Sequence, residues 1–566
     1  LLMRSPCERI AKRSVMTRNT NSQHDGGEPN INRRTMLQSG AAATAALIAG
    51  CGGSGGGGVE GEPVETQQIR VGELSNFVDL AQETANQWSE LGVDFEIDST
   101  TWNTFVSEAY TNTPEQVSHT PWGSSPDRVD PDFHLSSYTS DSAVNIAGYE
   151  NEEYDDLFDQ QRAAYDPEER AEIIGQMQEI LREDLPELVY VWPKATLPIN
   201  TGQFDIQPTE FIGARTTGTM TVLTAEPVGD TDTLVVGAQQ EIAIPNPLAP
   251  SSNDLQYLLK LAYDTPSRVG LDGDPINWAV ENYDQVDDTT IDMTLREGMT
   301  FHDGESVTAE DLEFTFNFLQ EYSFPKYDPF LSDVEGAEMQ TDMTVRVELA
   351  QPNVAFLNSA MTFMNILPMH IWQDVPDEVD QPVNWNADVD QLVGSGPLQI
   401  TEITDTEIRY EAYDDHWETP AFDEFIFVNR ASIEAIRADF EEQNIHMTTS
   451  SPPPSVTNEL ANQNDFISKS TAASVLQMKM SFNLGQAPFD DPAFREALML
   501  ATDPNRIIDV FYNGEADVGD GTLLHPQSSF SADLPPVERD LEAARQTLRD
   551  AGYEYDSDDQ LHYPAE

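Results

Sequence analysis

The sequence predicts an α/β protein. Short segments that alternate or run apolar, as strands do, are interleaved over most of the chain with capped segments whose apolar residues recur at helical spacing. Residues 77–88 carry helical spacing, Gly92 stops them, and Val93, Phe95 and Ile97 then alternate as a strand does. Asp166-Pro167-Glu168-Glu169 opens a clearer helix, with a capping Asp, Pro in the first turn and Glu three residues after the cap. Its residues Ile173, Ile174, Met177, Ile180 and Leu181 fall on one face, Pro186 ends it, and residues 188–192 read as a buried strand. A polar link at 226–232 precedes a short apolar strand at 233–237. The turn Asp287-Asp288-Thr289-Thr290 leads into an alternating strand at 291–295, and Thr308 caps a helix that carries Leu312, Phe316 and Leu319. Asp491-Pro492 and Asp503-Pro504 mark two more helix starts; Gly514 ends the second, and Leu541, Ala544 and Leu548 lead to a terminating Gly552.

Composition narrows the function classes. The 566 residues hold 100 Asp plus Glu against 29 Lys plus Arg, a net charge of −71, with a pI near 4.1. Such a field repels nucleic acid and anionic lipid, which excludes polyanion binding along the chain. Hydrophobic residues at 39% exclude a low-complexity acidic disordered chain, and the length suggests two to four domains at roughly 100–200 residues each. Only six lysines occur, so Arg carries most of the positive charge. The acidity reads either as a solubilising surface or, preferably, as adaptation to high salt, where carboxylate repulsion is screened to about 3 Å at 1 M.

The first fifty residues run the other way. Seven basic residues face three acids there, and without them 22 basic residues face 97 acidic ones, a net of −75. Arg33 and Arg34 precede the small, weakly apolar run 40–50, which leads to Leu47-Ile48-Ala49-Gly50-Cys51. The order resembles a twin-arginine export signal (residues 1–50) ending in a lipoprotein box with Cys51 as the lipidated residue, although Met36 stands where Phe is usual. The run is far shorter than the ~20 residues of a spanning helix. Residues 51–66, with Gly-Gly-Ser-Gly-Gly-Gly-Gly at 52–58, then read as a flexible tether. Cys7 precedes the signal, and Met16 is a candidate start, so no disulfide is expected in the mature protein.

The stretch 295–311, Leu-Arg-Glu-Gly-Met-Thr-Phe-His-Asp-Gly-Glu-Ser-Val-Thr-Ala-Glu-Asp, resembles the signature of the oligopeptide, dipeptide and nickel class (family 5) of solute-binding proteins that serve ABC importers. Gly394-Ser395-Gly396-Pro397, Tyr413 with Trp417, Phe482-Asn483, Pro488-Phe489-Asp490-Asp491 and Ala551-Gly552-Tyr553 agree, in the family's order, over most of residues 231–566. Residues 67–200 resemble the family's C-terminal third, and Leu561-His562-Tyr563-Pro564-Ala565-Glu566 reads smoothly into Gly61-Glu62-Pro63-Val64. The sequence therefore looks circularly permuted, the alternative being pieces of two neighbouring genes fused by an assembly error. The resemblance implies a two-lobed periplasmic-binding-protein-like fold (type II, large class) with a hinge. One continuous lobe would span 188–485, and the other would join 67–187 to 486–566.

In that class an acid meets the α-amine of a bound peptide. The segment 122–132 matches the part of the family that carries it, so the resemblance implies Asp130, with Asp127 second and Asp132 beside them, while Asp-Pro as an ordinary turn or cap is the alternative. Trp122, Tyr413 and Trp417 would wall the cleft or belong to the core. Asn483 would hydrogen-bond ligand or hinge backbone, and Gly396 would shape a hinge-side loop followed by Leu398, where the family prefers an aromatic.

The implied function is a monomeric, lipid-anchored receptor on the outer face of the cytoplasmic membrane. It would capture a peptide or peptide-like solute and hand it to an ABC permease and its ATPase. No cofactor, metal or nucleic acid is expected. His302-Asp303-Gly304 reads as a turn; no nucleophile elbow, His-Glu-x-x-His pair or Walker lysine accompanies it. His119, His134, His370, His416, His446 and His525 lack ligand spacing, and residues 556–559 lack the Gly and Glu of a calcium loop. The alternatives are an extracellular peptide hydrolase and a binder of a non-peptide solute such as a nickel chelate or sugar.

Overall fold

A computed structural model describes residue 59 and residues 61–565, apart from 75, 110–113, 123–124, 126–127, 143, 230, 240, 243–245, 250–252 and 325. Asp127, Cys51, Arg33 and Arg34 therefore lie outside the described residues. Strands and helices alternate throughout, and the class is mixed α/β as the sequence predicts.

One mixed sheet has six strands in the order Phe95–Thr101, Gln67–Glu73, Val117–His119, Met478–Phe482, Glu187–Pro193 and Ala516–Gly521. The first three run parallel to one another, with Ile69 opposite both Ile97 and Val117; the remaining pairs are antiparallel. Every residue of Glu187–Pro193 is buried, the pattern of a strand covered on both faces. The helices Phe77–Ser89, Pro167–Asp184, Pro492–Ala501, Pro504–Tyr512 and Leu541–Asp550 belong with this sheet. Four of these five are capped by an Asp, three of them as the sequence predicts: Asp166, Asp491 and Asp503, and with them Asp540, each accept a backbone N–H of the first turn, which meets donors the helix itself leaves empty.

A second body is built on a five-stranded sheet, Leu398–Ile403, Glu407–Ala412, Glu424–Asn429, Thr233–Ala238 and Met447–Thr448, and on an antiparallel four-stranded sheet from Val280–Asp287 to Val334–Thr341. Its core runs from Ile199 to Met447. The helix Ala309–Glu321 opens on a capping box between Thr308 and Asp311.

Among the described residues the chain passes between the two bodies twice. Ala195–Asn200 continues from Glu187–Pro193 and pairs antiparallel with Ile467–Ala472, which leads on to Met478–Phe482. Ala195 lies opposite Ala472 on one side of the crossing and Val191 opposite Met478 on the other, so Lys194 and residues 473–477 run side by side. The six-stranded sheet thus takes in Glu187–Pro193 and Met478–Phe482, and the continuous body is residues 195–472 rather than 188–485. Periodicity cannot tell which sheet a wholly buried strand joins.

Candidate functional site

The face between the two bodies is centred on the segment after Val117–His119. Trp122 exchanges both backbone hydrogen bonds with Gln477, at 3.1 and 3.0 Å, which fixes it at the end of a strand pair beside the hinge. Asp130 then caps the short helix Pro131–Leu135, setting Phe133 and His134 against Trp122 with ring centroids 5.2 and 5.5 Å away.

Asp130 is buried in a full set of partners. Its carboxylate accepts Arg170 Nη1 at 2.9 Å, Arg170 Nη2 at 2.7 Å, the Asp132 amide at 2.9 Å and Asn358 Nδ2 at 2.8 Å. Burial alone would raise its pKa; the Arg170 charge and these hydrogen bonds overcome that and hold it below the ordinary carboxylate value. Four donors fill the acceptor positions of a carboxylate, so in this arrangement none is left for a ligand amine. Asn358 comes from the continuous body, and Asp130 therefore joins the two.

Asp132 does the same through an intermediary. It takes Arg162 Nε and Nη2, both at 2.8 Å, while Arg162 Nη1 reaches Asp333 of the continuous body at 3.0 Å. The Arg162 carbonyl accepts the Val354 amide at 2.9 Å, and Tyr165 Oη donates to the Asp288 carbonyl. Asp130, Asp132, Arg162 and Arg170 form, with Asn358 and Asp333, a latch between the two bodies. Neither arginine stands out in the sequence; their signal is that a buried cation in so acidic a chain needs a specific partner.

Behind Trp122 lies a buried polar group that the sequence also hid. Lys479 Nζ sits 4.4 Å from the Trp122 ring centroid and donates to Glu187, which Tyr138 and Ser481 also serve. A Lys and a Ser inside the apolar run Met478, Met480, Phe482 are the trace of this group in the sequence.

Four other expected residues lie elsewhere. Tyr413 donates to the Phe301 carbonyl at 2.9 Å and fastens the turn at 300–306. Trp417 stacks on His416, with centroids 3.8 Å apart, and packs on the core of the continuous body. Asn483 donates to the Pro114 carbonyl at 2.8 Å within the six-stranded body. At Gly396 an added Cβ would meet the Leu261 carbonyl oxygen at 2.7 Å; this glycine is needed for close backbone packing. His302 sits in the turn that the sequence predicts, bonded to the Gly396 carbonyl. Among the described residues no group of three or more His, Cys, Asp and Glu side chains could hold a metal ion, and no helix is long and apolar enough to cross a membrane.

Residues 274–565, just over half of the chain, match the family of bacterial extracellular solute-binding proteins, family 5 (Middle). The chain belongs to this family. The curated relatives that the chain matches are solute-binding proteins rather than enzymes. The glutathione-binding protein GsiB of Pectobacterium atrosepticum is 25% identical over 353 residues, covering 59% of this chain and 64% of its own. The oligopeptide-binding protein AppA of Bacillus subtilis is 25% identical over 272 residues, covering 46% and 48%. Among solved structures, that of Bacillus subtilis AppA in complex with a nonapeptide aligns at 22% identity with a TM-score of 0.44, over 58% of this chain and 65% of its own. The chain thus spans about half to just under two thirds of the length of these relatives.

Proposed function

We propose that the protein is the solute receptor of an ABC importer, capturing peptides or peptide-like solutes outside the cell by closure of two lobes and delivering them to a membrane permease. The observation that carries this reading is the pair of crossings at Lys194 and residues 473–477, a two-strand hinge beside a face lined with aromatic and charged groups. A ligand held between bodies joined so sparsely shifts the open–closed population by its differential affinity, with no covalent step. Family membership and the relatives' names, as binders of oligopeptide, dipeptide and glutathione, support the solute class. Asp130 then serves closure rather than amine capture.

The finer features belong to the same proposal: export through Arg33 and Arg34, a lipid on Cys51, a monomeric receptor and a salt-adapted surface. Circular permutation is supported by the pairing of Leu561 with Val64 and Tyr563 with Glu62, through backbone bonds of 2.8 and 2.9 Å; joined in the other order, these segments would be a hairpin. The test is a peptide library scored by thermal stabilisation, with the ligand analysed afterwards. Stabilisation with ligand recovered intact is the expected result. Cleaved peptide that tracks one mutable residue would mean a hydrolase instead.

A further inference from the structure

A tight turn of the continuous body, residues 209–213, lies against both crossings of the hinge. Thr209 pairs with Gly213 in an isolated bridge, and its carbonyl accepts the Ile212 and Gly213 amides at 3.2 and 2.7 Å. Gly213 has φ +85°, and a Cβ added there would stand 2.3 Å from the Ala195 Cβ, so the turn rests on the residue that follows Lys194. The Phe211 carbonyl accepts the Val475 amide at 3.0 Å, which ties the turn to the other crossing.

Phe211 has φ +60°, in the left-handed region that a bulky side chain rarely adopts. Such a residue persists only where its surroundings over-determine it, and it concentrates at clamps and switches. Here the ring reaches the six-stranded body. It meets the His525 ring edge-on, with centroids 5.7 Å apart, and His525 in turn stands edge-on to the buried Trp192 at 5.3 Å. With Val475, Leu523 and Leu524 these rings line a recess of about 20 Å³, too small for more than one water. His525 is itself fixed. Its Nδ1 accepts the Gln527 amide at 3.1 Å, its Nε2 stands 3.5 Å from Asp517, and Asp517 also pairs with Lys194 at 3.0 Å. Phe211 thus docks on a surface anchored to one crossing while its own backbone holds the other. Rotation of the bodies about this hinge moves His525 relative to Phe211 and withdraws the ring.

We propose that Phe211 is a positioning residue for closure: its ring, wedged against His525 beside the hinge, holds the two bodies in the arrangement in which the latch forms. The inference rests on the reading of a receptor that closes on its solute, and it places part of the closing free energy at the hinge itself. Edge-on rings stabilise one another beyond the area they bury, so this contact biases the lobes with no ligand present.

The experiment measures lobe separation in single molecules of the full chain, labelled at Glu179 and Asn317 on the two bodies, with and without a mixture of tripeptides. Wild type is compared with Phe211→Ala, His525→Gln and the double variant, and thermal melts establish that each is folded. Phe211→Ala is expected to raise the open fraction of ligand-free protein about fivefold. His525→Gln, which removes the facing ring, is expected to act in the same direction, and the double variant to go no further than the larger single effect. An open fraction unmoved by Phe211→Ala, or single effects that add in the double variant, would overturn the wedge; if tripeptides still shorten the distance, the receptor stands. Variants that open as expected while no tripeptide shortens the distance in any of them would support the wedge and remove closure on a peptide. A distance that neither substitution nor tripeptide moves would overturn both.

Discussion

Arg170 is 3% exposed and faces Asp130 in a two-pronged ion pair, so the two charges are affordable only together. Arg170→Met should cost about 3–5 kcal/mol in denaturant unfolding, because it strands a buried carboxylate; a loss below about 1 kcal/mol would mean that Asp130 is already well solvated. His134 gives a pH signature. Its folded-state pKa, about 3, lies below the unfolded value of 6.5, so the unfolded chain binds the extra proton between them. Its contribution is complete above about pH 6.5 and is lost as pH falls towards 3. His119, likewise lowered to about 3 by burial, adds to the same window. Urea midpoints across that range should show a slope that His134→Gln reduces by up to ~1.4 kcal/mol per pH unit. An unchanged slope would contradict a buried neutral imidazole. These residues were hard to read because one histidine or arginine carries no period. Its role depends on partners such as Asp130 and Arg170, 40 positions apart, or Asp130 and Asn358, 228 apart.

Secondary elements were far more legible. The helix Pro167–Asp184 begins at Asp166 because its side chain accepts the Glu168 and Glu169 amides, a local code visible in four consecutive residues. Thr308 and Asp311 announce the helix Ala309–Glu321 in the same way. Strand order was not legible: Val117–His119 lies between Gln67–Glu73 and Met478–Phe482, and nothing local records a partner some 360 residues away. Sequence blocks pointed to Tyr413, Trp417 and Gly396, yet these build the turn and the core of the continuous body, because shared blocks mark packing as readily as binding. The latch elements permit a direct test. Arg162, at the end of the helix Glu152–Ala163, bridges Asp132 and Asp333 with part of its side chain still wet. Arg162→Gln should raise the open fraction of ligand-free protein about fivefold, the effect of ~1 kcal/mol of cross-lobe interaction. Unchanged lobe separation would show that the latch does not govern closure.

The whole molecule carries a net charge of −71. Repulsion among carboxylates acts over about 30 Å at 0.01 M salt and about 3 Å at 1 M, so melting temperature should climb across that range; a flat or falling curve would remove the salt-adapted surface. Two-lobed architecture was legible through the blocks at 295–311 and 488–491, whereas the hinge at Lys194 and 473–477 emerged only from strand pairing. That hinge is also where the functional claim is most exposed. Fluorescent labels at Glu179 on the helix Pro167–Asp184 and at Asn317 on the helix Ala309–Glu321 would report the distance between lobes in single molecules. A peptide that raises the melting temperature should shift the distribution to the shorter distance in proportion to its occupancy. A peptide that binds tightly and leaves the distribution unmoved would contradict capture by lobe closure.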